Sequence, residues 1–214
     1  MRLFVVTGTD TGVGKTFVTA RLIRSLRDLG TRAIGLKPVE TGWSSETSDA
    51  AQLASASSRT LVETVWSHFE LPAAPAVAAA ESHHPLDISE MISWIRAAAS
   101  TADVCLVEGA GGWLVPFGPQ HLFSDVVREL EPEAVLVVGS CRLGTINHTL
   151  LTAEAVTKVS PLAGIALSRR PGDDLALSEW SYREIQKRVA SPVWFAPRDD
   201  ESMARTFHVE HQAA

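Results

Sequence analysis

Glycine, lysine and hydroxyl side chains are concentrated in residues 7–16, TGTDTGVGKT, directly after the apolar run of residues 3–6. Glycines allow backbone N–H groups to turn inward around a phosphate, and a following helix presents its positive end to the anion. Lys15 would then reach the β- and γ-phosphates of a nucleotide, and the Thr16 hydroxyl would bind Mg²⁺. The stretch therefore predicts a phosphate-binding loop, or P-loop. The alternative interpretation is a glycine-rich turn that binds no ligand.

The spacing of this loop departs from the usual pattern G-x-x-x-x-G-K-[S/T]. Counting back from Gly14 places Thr9 at the position of the first glycine, and Gly8 lies one residue earlier. The loop is therefore a longer variant. A P-loop indicates nucleotide binding and leaves the reaction open.

A second lysine, Lys37, follows the apolar run of residues 33–36 in the sequence GLKPVETGW. Pro38 lacks a backbone N–H, so we expect the strand to end there with Lys37 at its tip. In that position Lys37 would face the same phosphates and stabilise charge that develops during reaction. Thr41 and Gly42 add a hydroxyl and a flexible position nearby. From this stretch alone, a solvated surface lysine is an equally good interpretation.

Two carboxylates are candidates for a metal site. Asp49 lies in ETSDAAQL, where Thr47, Ser48 or Asp49 could cap a helix and where Asp49 could instead bind a metal. Glu108 follows the apolar run of residues 104–107 and precedes Gly-Ala-Gly-Gly. An acid after an apolar strand beside a P-loop is the usual position of a carboxylate that holds Mg²⁺ or its water. The alternative for Glu108 is an exposed residue in a strand-to-loop turn.

A further glycine-containing loop leads from an apolar run into a helical pattern at residues 137–156. The first residues of that helix are Gly144, Thr145, Ile146 and Asn147. They could form a second anion site at the helix N-terminus. An ordinary cap by Thr145 explains the same residues equally well.

The elements that must position these residues are short apolar runs that alternate with stretches of helical spacing. We predict strands at residues 3–6, 33–36, 104–107, 134–138, 162–167 and 193–196. We predict helices at residues 16–29, 88–99, 123–130, 145–159 and 175–189, and a loop at 71–80. Several strands are apolar at consecutive positions, as in a parallel sheet covered on both faces. The pattern predicts one domain, residues 1–214, with an α/β fold: a mostly parallel central sheet, helices on both faces, and ligands at the carboxyl ends of the strands.

The composition is that of a soluble globular protein, with 45% hydrophobic and 21% charged residues in a chain of 214. A net charge of −6 argues against binding to nucleic acid or to an anionic membrane. No apolar run approaches the roughly 20 residues of a membrane-spanning helix. Cys105 and Cys141 lie in apolar runs, which favours core positions in a reducing cytoplasm. Arg169 and Arg170 are interpreted as part of a solvated loop.

Taken together and in order, the motifs resemble the dethiobiotin synthetase family. The matching stretches are GTDTGVGKT (8–16), KPVETG (37–42), SDA (48–50), VEGAGGWLVP (107–116) and LGTINHTLLT (143–152). The combination of KPVxTG with VEGAGG is specific, and the longer P-loop is the variant that this family uses. The resemblance implies a P-loop NTPase-like fold and a C–N bond-forming ligase of biotin biosynthesis.

The implied reaction closes a cyclic urea on 7,8-diaminopelargonate with CO₂ (or bicarbonate) and ATP, through a carbamate and a carbamic–phosphoric anhydride. Lys15 and Lys37 would be the catalytic cations, with Mg²⁺ bound by Thr16, Asp49 and Glu108. The implied nucleotide-binding residues are Gly12, Val13, Gly14, Lys15, Thr16, Phe17, Asp49, Glu108, Gly109, Ala110, Gly111, Ser168 and Pro197. The implied substrate-binding residues are Thr11, Lys37, Thr41, Gly111, Gly144, Thr145, Ile146 and Asn147.

The family is a homodimer, and the resemblance implies that residues 144–147 of one subunit receive the distal carboxylate of the substrate bound to the other. The chain also departs from some members. Gly12 stands where some carry a glutamate, and Ser168 stands where some carry an asparagine that contacts adenine. These departures leave the choice of nucleotide base open.

Two other classes of protein remain as alternatives. A synthetase of the cobyrinate amidation type has a similar P-loop, but works with a glutaminase domain for which this chain has no room. A switch ATPase of the ParA and MinD type usually carries a second lysine near the start of the P-loop. Residues 8–11 contain no lysine and the chain is acidic, which disfavours the switch.

Overall fold

The structure, a computed structural model, describes residues 1–44 and 48–208. The strands in this part of the chain are β1 (Arg2–Gly8), β2 (Ala33–Thr41), β3 (Val65–Phe69), β4 (Val104–Gly112), β5 (Ala134–Ser140), β6 (Leu162–Ser168) and β7 (Val193–Ala196). The helices are α1 (Lys15–Asp28), α2 (Asp49–Ser57), α3 (Pro75–Glu81), α4 (Ile88–Ala99), α5 (Phe123–Leu130), α6 (Thr145–Thr157), α7 (Leu175–Gln186) and α8 (Asp200–Phe207).

The strands form one sheet in the order β3-β2-β4-β1-β5-β6-β7, and every described pair of neighbours is parallel. Successive side chains of a strand point to opposite faces, so each strand serves two cores. In β1, Val5 packs in the cluster that contains residues of α3 to α7. Phe4 and Val6 pack in the cluster that contains residues of α1, α2 and α8. The predicted fold class, a parallel sheet with helices on both faces, is confirmed; the single domain over residues 1–214 stays a prediction.

The strand order brings the predicted motifs to one edge of the sheet. β4 lies between β1 and β2, with Val6 of β1 in register with Glu108. The P-loop follows β1, and Lys37 lies on β2, the other neighbour of β4. Because all three strands are parallel, their carboxyl-terminal halves meet at the same edge.

Two strand ends were predicted wrongly. β2 continues through Pro38 to Thr41, so Lys37 lies inside the strand and not at its tip. Its pairing with β4 ends at Leu36, whereas its pairing with β3 starts at Lys37, whose backbone N donates to Thr64 O at 2.8 Å. The missing N–H of Pro38 therefore falls on the side where β2 has left β4, and no ladder hydrogen bond is lost. Glu108 likewise lies inside β4, which extends to Gly112.

The predicted loop at residues 71–80 is also wrong, because α3 begins inside it at Pro75. Proline is favoured at the first position of a helix and the alanines that follow are strong helix formers, so the signal was present in the sequence. Two elements were not predicted at all, β3 and α8, and α2 was predicted only as a helix that Thr47, Ser48 or Asp49 could cap, without bounds. β3 is a short edge strand with polar residues in its middle, so it lacks the continuous apolar run of the buried strands.

Cys105 and Cys141 are both free and buried, as expected for core residues. Burial raises the pKa of the Cys105 thiol to about 12. No helix in the described part of the chain is long and apolar enough to cross a membrane.

Candidate active site

The P-loop leaves β1 and ends at the first turn of α1. Gly14 is the N-terminal cap of α1, with a φ of 100° that favours glycine, and no side chain caps the helix. The first N–H groups of α1 are therefore available to an anion. Lys15 lies back across the loop, with its Nζ donating to the carbonyl oxygen of Asp10 at 3.0 Å.

Glu108 is the centre of the site, and its side chain is fully buried. Its Oε1 accepts hydrogen bonds from Thr16 Oγ1 at 2.7 Å and from Lys37 Nζ at 2.7 Å. Its Oε2 is buried without a hydrogen-bond partner among the described residues. A buried charged oxygen without a partner is costly, so this atom indicates a position where a ligand belongs.

Lys37 joins Glu108 to Asp49. Its Nζ also donates to Asp49 Oδ2 at 3.1 Å and to the carbonyl oxygen of Gly109 at 3.2 Å. Burial lowers the pKa of Lys37, but attraction to Glu108 and Asp49 outweighs burial and holds that pKa above its ordinary value. Burial raises the pKa of Asp49, but attraction to Lys37 together with the hydrogen bonds from Thr16 and Lys37 outweighs burial and holds that pKa below its ordinary value. Lys37 is therefore a permanent cation and Asp49 a permanent anion at neutral pH.

The pKa of Lys15 is shifted in the opposite direction, below its ordinary value. Burial is the main cause that lowers its pKa to about 8, and repulsion from the ammonium of Lys37 adds to the effect. Lys15 makes no ion pair with a carboxylate in the described part of the chain. An anionic ligand would therefore stabilise the protonated form of Lys15.

Asp49 was interpreted either as a helix cap or as a metal ligand, and the observed cap of α2 decides between the two. Ser48 is the N-cap, with its Oγ accepting from Ala51 N at 3.1 Å, and Asp49 is the first residue of the helix. The carboxylate of Asp49 is thus free to face Lys37. Thr47, the other candidate cap, lies outside the described residues.

A cleft of about 520 Å³ opens above these groups. Of the residues proposed from the sequence, those that line it are Thr11, Gly12, Gly14, Lys15, Thr16, Phe17, Lys37, Thr41, Asp49, Ala110 and Gly111. Val13, Glu108 and Gly109 are buried and do not line it.

Comparison with known proteins gives the family. A family model described as an AAA domain matches residues 2–196. The ATP-dependent dethiobiotin synthetase BioD of Anaeromyxobacter dehalogenans (strain 2CP-C) is 42% identical over 179 residues, covering 81% of this chain and 80% of that protein. The protein of the same name from Xylella fastidiosa (strain M12) is 41% identical over 202 residues, covering 89% and 87%. This chain belongs to the dethiobiotin synthetase family. The resemblance found in the motifs is therefore confirmed.

Solved structures with the same fold are much more distant in sequence. The MinC:MinD cell division protein complex of Aquifex aeolicus matches with a TM-score of 0.55 and 15% identity, covering 96% of this chain and 86% of that chain. The signal recognition particle receptor FtsY of Elizabethkingia anophelis matches with a TM-score of 0.54 and 17% identity, covering 96% and 65%. At these identities the likeness shows the fold alone.

Several walls of the cleft in this family member were not predicted. Pro72, Ala73, Ala74 and Pro75 line it from the segment that enters α3, and Arg170 lines it from the loop after β6. Arg170 is exposed, and its guanidinium donates to the carbonyl oxygen of Gly12 in the P-loop. The interpretation of Arg170 as only a solvated loop residue therefore misses a contact with the nucleotide loop. Nothing in the local sequence distinguishes it from Arg169.

Ser168 and Pro197, which the family resemblance placed near the nucleotide base, do not line the cleft. Ser168 is buried directly against the P-loop: a Cβ added to Gly14 would lie 2.2 Å from Ser168 Oγ. Pro197 is exposed in the turn after β7. Ser168 thus acts on the loop by packing in this structure.

The N-terminus of α6 is capped by Gly144, at a φ of 94°, and no side chain accepts from its first N–H groups. Thr145 is not the cap, because it is the first residue of the helix and its Oγ1 donates to Ser140 O at 2.6 Å. Residues 144–147 do not line the cleft of their own chain. The preceding Leu143 is 88% exposed.

The oxygen atoms around Lys37 fit a magnesium ion. The described residues contain no group of three or more His, Cys, Asp or Glu that could hold a metal by themselves. Mg²⁺ usually keeps several waters and binds through one or two carboxylates plus substrate phosphates, so a complete protein cage is not required. The unpartnered Oε2 of Glu108, with Asp49 and the Thr16 hydroxyl beside it, provides such a partial set.

Proposed function

We propose that this protein is an ATP-dependent dethiobiotin synthetase, a ligase that closes a cyclic urea on 7,8-diaminopelargonate with CO₂. The observation that carries the proposal is the buried contact of Lys37 with Glu108 and Asp49 beside a P-loop. The relatives that share 41–42% identity with this chain bear the same activity in their names. ATP use follows from the family.

The chemistry begins at one amine of the substrate. That amine adds to CO₂ and loses a proton, giving a carbamate. The carbamate oxygen attacks the γ-phosphorus of ATP, so that ADP leaves and a carbamic–phosphoric anhydride remains. The second amine then attacks the carbonyl carbon, the C–O bond to phosphate breaks, and loss of a proton completes the urea.

Negative charge near the γ-phosphate is common to these steps, and the two lysines supply the cations for it. Lys15 reaches along the P-loop, and Lys37 stays protonated because of its two carboxylates. Mg²⁺ held by Thr16, Asp49 and Glu108 would neutralise charge on the phosphates. No covalent nucleophile of the protein is needed.

The cleft suits the carbon chain of the substrate as well as its polar end. Thr11 and Thr41 contribute hydroxyl groups to its lining, and residues 72–75 and Val115 contribute a wall of proline, alanine and valine. Such a wall can contact methylene groups without leaving a polar atom unpaired.

We further propose a homodimer in which residues 144–147 of one subunit bind the distal carboxylate of the substrate held by the other. Two observations support this: Gly144 caps α6 without a side-chain hydrogen bond, which leaves its first N–H groups available to an anion, and residues 144–147 do not line the cleft of their own chain. Exposed Leu143 beside them is a suitable interface residue. We place the protein in the cytoplasm, where ATP is available and where buried free cysteines persist.

The decisive experiment measures phosphate release from ATP and Mg²⁺, with and without 7,8-diaminopelargonate and bicarbonate, and the mass of the organic product. We expect release only with the diamine, and a product heavier by one carbonyl group and lighter by two hydrogens. Phosphate release that ignores the diamine would contradict the proposal and favour a switch ATPase. Analytical ultracentrifugation of the same sample tests the dimer.

A further inference from the structure

The carboxylate of Glu40 is buried beside the active site and has no cationic partner among the described residues. Glu40 lies on β2, three residues after Lys37, and is 5% exposed. It forms no ion pair with any lysine, arginine or histidine in the described part of the chain. Burial of an uncompensated carboxylate is costly unless hydrogen bonds satisfy its oxygens, so its partners show what this residue does.

The start of α2 donates three hydrogen bonds to the carboxylate of Glu40. Its Oε1 accepts from the backbone N of Asp49 at 2.7 Å. Its Oε2 accepts from the backbone N of Ala50 at 2.9 Å and from Ser48 Oγ at 3.0 Å. Free N–H groups in the first turn carry the positive end of the helix dipole, which a carboxylate stabilises.

The helix already has a local cap, because Ser48 Oγ accepts from Ala51 N. Glu40 therefore does more than complete the helix: it attaches the first turn of α2 to the strand that carries Lys37. The backbone of Asp49 is held by Glu40, and the carboxylate of Asp49 contacts Lys37 Nζ at 3.1 Å. The strand thus fixes both ends of Asp49, its backbone through Glu40 and its side chain through Lys37.

We propose that Glu40 is a positioning residue that sets the place of the Asp49 carboxylate for Mg²⁺ binding. This inference rests on the proposed function, because it takes Asp49 as a Mg²⁺ ligand. Neighbours that orient a metal ligand typically change metal affinity by about 10–100-fold when they are removed. Glu40 lines the cleft, and in this assignment it acts on the metal site through Asp49 without contacting the metal.

The test is isothermal titration of ADP, with and without Mg²⁺, into the wild type, Glu40→Ala, Glu40→Gln and Ser48→Ala. We expect Glu40→Ala to weaken the Mg²⁺-dependent part of the affinity by about tenfold or more, and to leave ADP binding without Mg²⁺ unchanged. Glu40→Gln retains one acceptor oxygen, so its loss should be intermediate. Ser48→Ala is the comparison variant: it removes the local cap and the Ser48 hydrogen bond to Glu40 Oε2, and leaves the hydrogen bonds from the backbone N of Asp49 and Ala50 to Glu40 in place.

Two results would overturn the inference: a Mg²⁺ dependence in Glu40→Ala equal to that of the wild type, or an equal loss in Ser48→Ala at matched thermal stability. The second result would mean that the integrity of α2 matters and not the bond to Asp49. The assay of dethiobiotin formation separates this inference from the proposed function. A wild type without that activity whose Glu40→Ala variant still loses Mg²⁺-dependent affinity would refute the function and retain the positioning role.

Discussion

Lys37 Nζ lies 2.7 Å from Glu108 Oε1, and the two residues are 3% and 0% exposed on the neighbouring strands β2 and β4. A buried ion pair is weak evidence for stability, because desolvation of both charges offsets much of their attraction. Because the ion pair lies beside the P-loop, we interpret it as part of the active site and not as a source of stability. A Mg²⁺ ion at Glu108 and Asp49 would compete with the ammonium of Lys37 for the same two carboxylates, which would turn Lys37 toward a phosphate.

Replacement of Lys37 should separate nucleotide binding from turnover. We expect Lys37→Ala to lower kcat by about 100-fold or more, because it removes a cation from the developing charge. Its Mg²⁺-dependent ADP affinity should be unchanged or higher, since the competing ammonium is absent. Steady-state kinetics and calorimetry measure the two quantities; an unaltered kcat would remove Lys37 from the mechanism.

Glu108→Gln keeps the shape of the side chain and removes its charge. We expect the Mg²⁺-dependent part of ADP affinity to fall by about tenfold or more, because a neutral amide is a poor ligand for Mg²⁺. The comparison variant is Asp125→Asn, which neutralises a half-buried carboxylate on α5 that does not line the cleft. A Mg²⁺ dependence that survives in Glu108→Gln would exclude a metal role for this residue.

The lowered pKa of Lys15 predicts proton uptake on nucleotide binding. Its pKa of about 8 in the folded protein lies below the ordinary 10.5, so near pH 9 the free protein holds Lys15 mostly neutral. A bound triphosphate favours the ammonium, so binding should take up a proton near pH 9. Titrations in buffers of different ionisation enthalpy measure this uptake.

The matched variant for Lys15 is Lys15→Arg, because a guanidinium stays charged at all these pH values and should bind without proton uptake. The lowered pKa of Lys15 also determines the direction in which this group changes the free energy of unfolding with pH. Between about pH 8 and 10.5 the unfolded chain holds the Lys15 proton and the folded chain does not, so this group makes the free energy of unfolding rise with pH there. Equal proton uptake in both proteins would contradict the assignment to Lys15.

Gly14 cannot accept a side chain for two reasons. Its φ is +100°, and an added Cβ would lie 2.2 Å from Ser168 Oγ. We expect Gly14→Ala to lower the free energy of unfolding by about 1–3 kcal/mol from backbone strain, with the clash in addition. Gly12→Ala is the control, since its φ is +69° and its Cβ would meet no atom within 4 Å. Denaturant unfolding should show a smaller loss of unfolding free energy in Gly12→Ala than in Gly14→Ala. The double variant Gly14→Ala, Ser168→Gly should regain part of that free energy. Equal losses in Gly12→Ala and Gly14→Ala would exclude a contribution from the clash.

Arg170 and Arg169 form a natural pair of test and control. Arg170 donates to the Gly12 carbonyl and lines the cleft, whereas Arg169 does neither. The contact is exposed, so we expect Arg170→Ala to weaken ADP binding by only about two- to fivefold, with no change in Arg169→Ala. Fluorescence titration with a labelled ADP can measure both; matching affinities in the two variants would leave Arg170 without a nucleotide role.

The amino-acid sequence determined the fold class and the main candidate residues of the site, because these depend on local properties. Apolar runs at consecutive positions indicate strands buried on both faces, and a glycine-rich loop between a strand and a helix indicates phosphate binding. Lys37 stayed ambiguous from its own stretch, and Pro38 was misinterpreted, because its effect depends on which neighbour the strand has at that point. The predicted loop at residues 71–80 is wrong from Pro75 onward, because proline and alanine are common both in loops and in the first turns of helices.

What only the tertiary structure decided is the set of contacts between segments that are distant in the sequence. The order β3-β2-β4-β1 brings Lys37 to Glu108, and the packing of α2 on β2 makes Glu40 the support of Asp49. The last residue of β6, Ser168, lies against Gly14, and the loop after β6 brings Arg170 onto Gly12. Residue type and spacing along one segment cannot specify these contacts, because each depends on which strands become neighbours when two hydrophobic cores form on the two faces of one sheet.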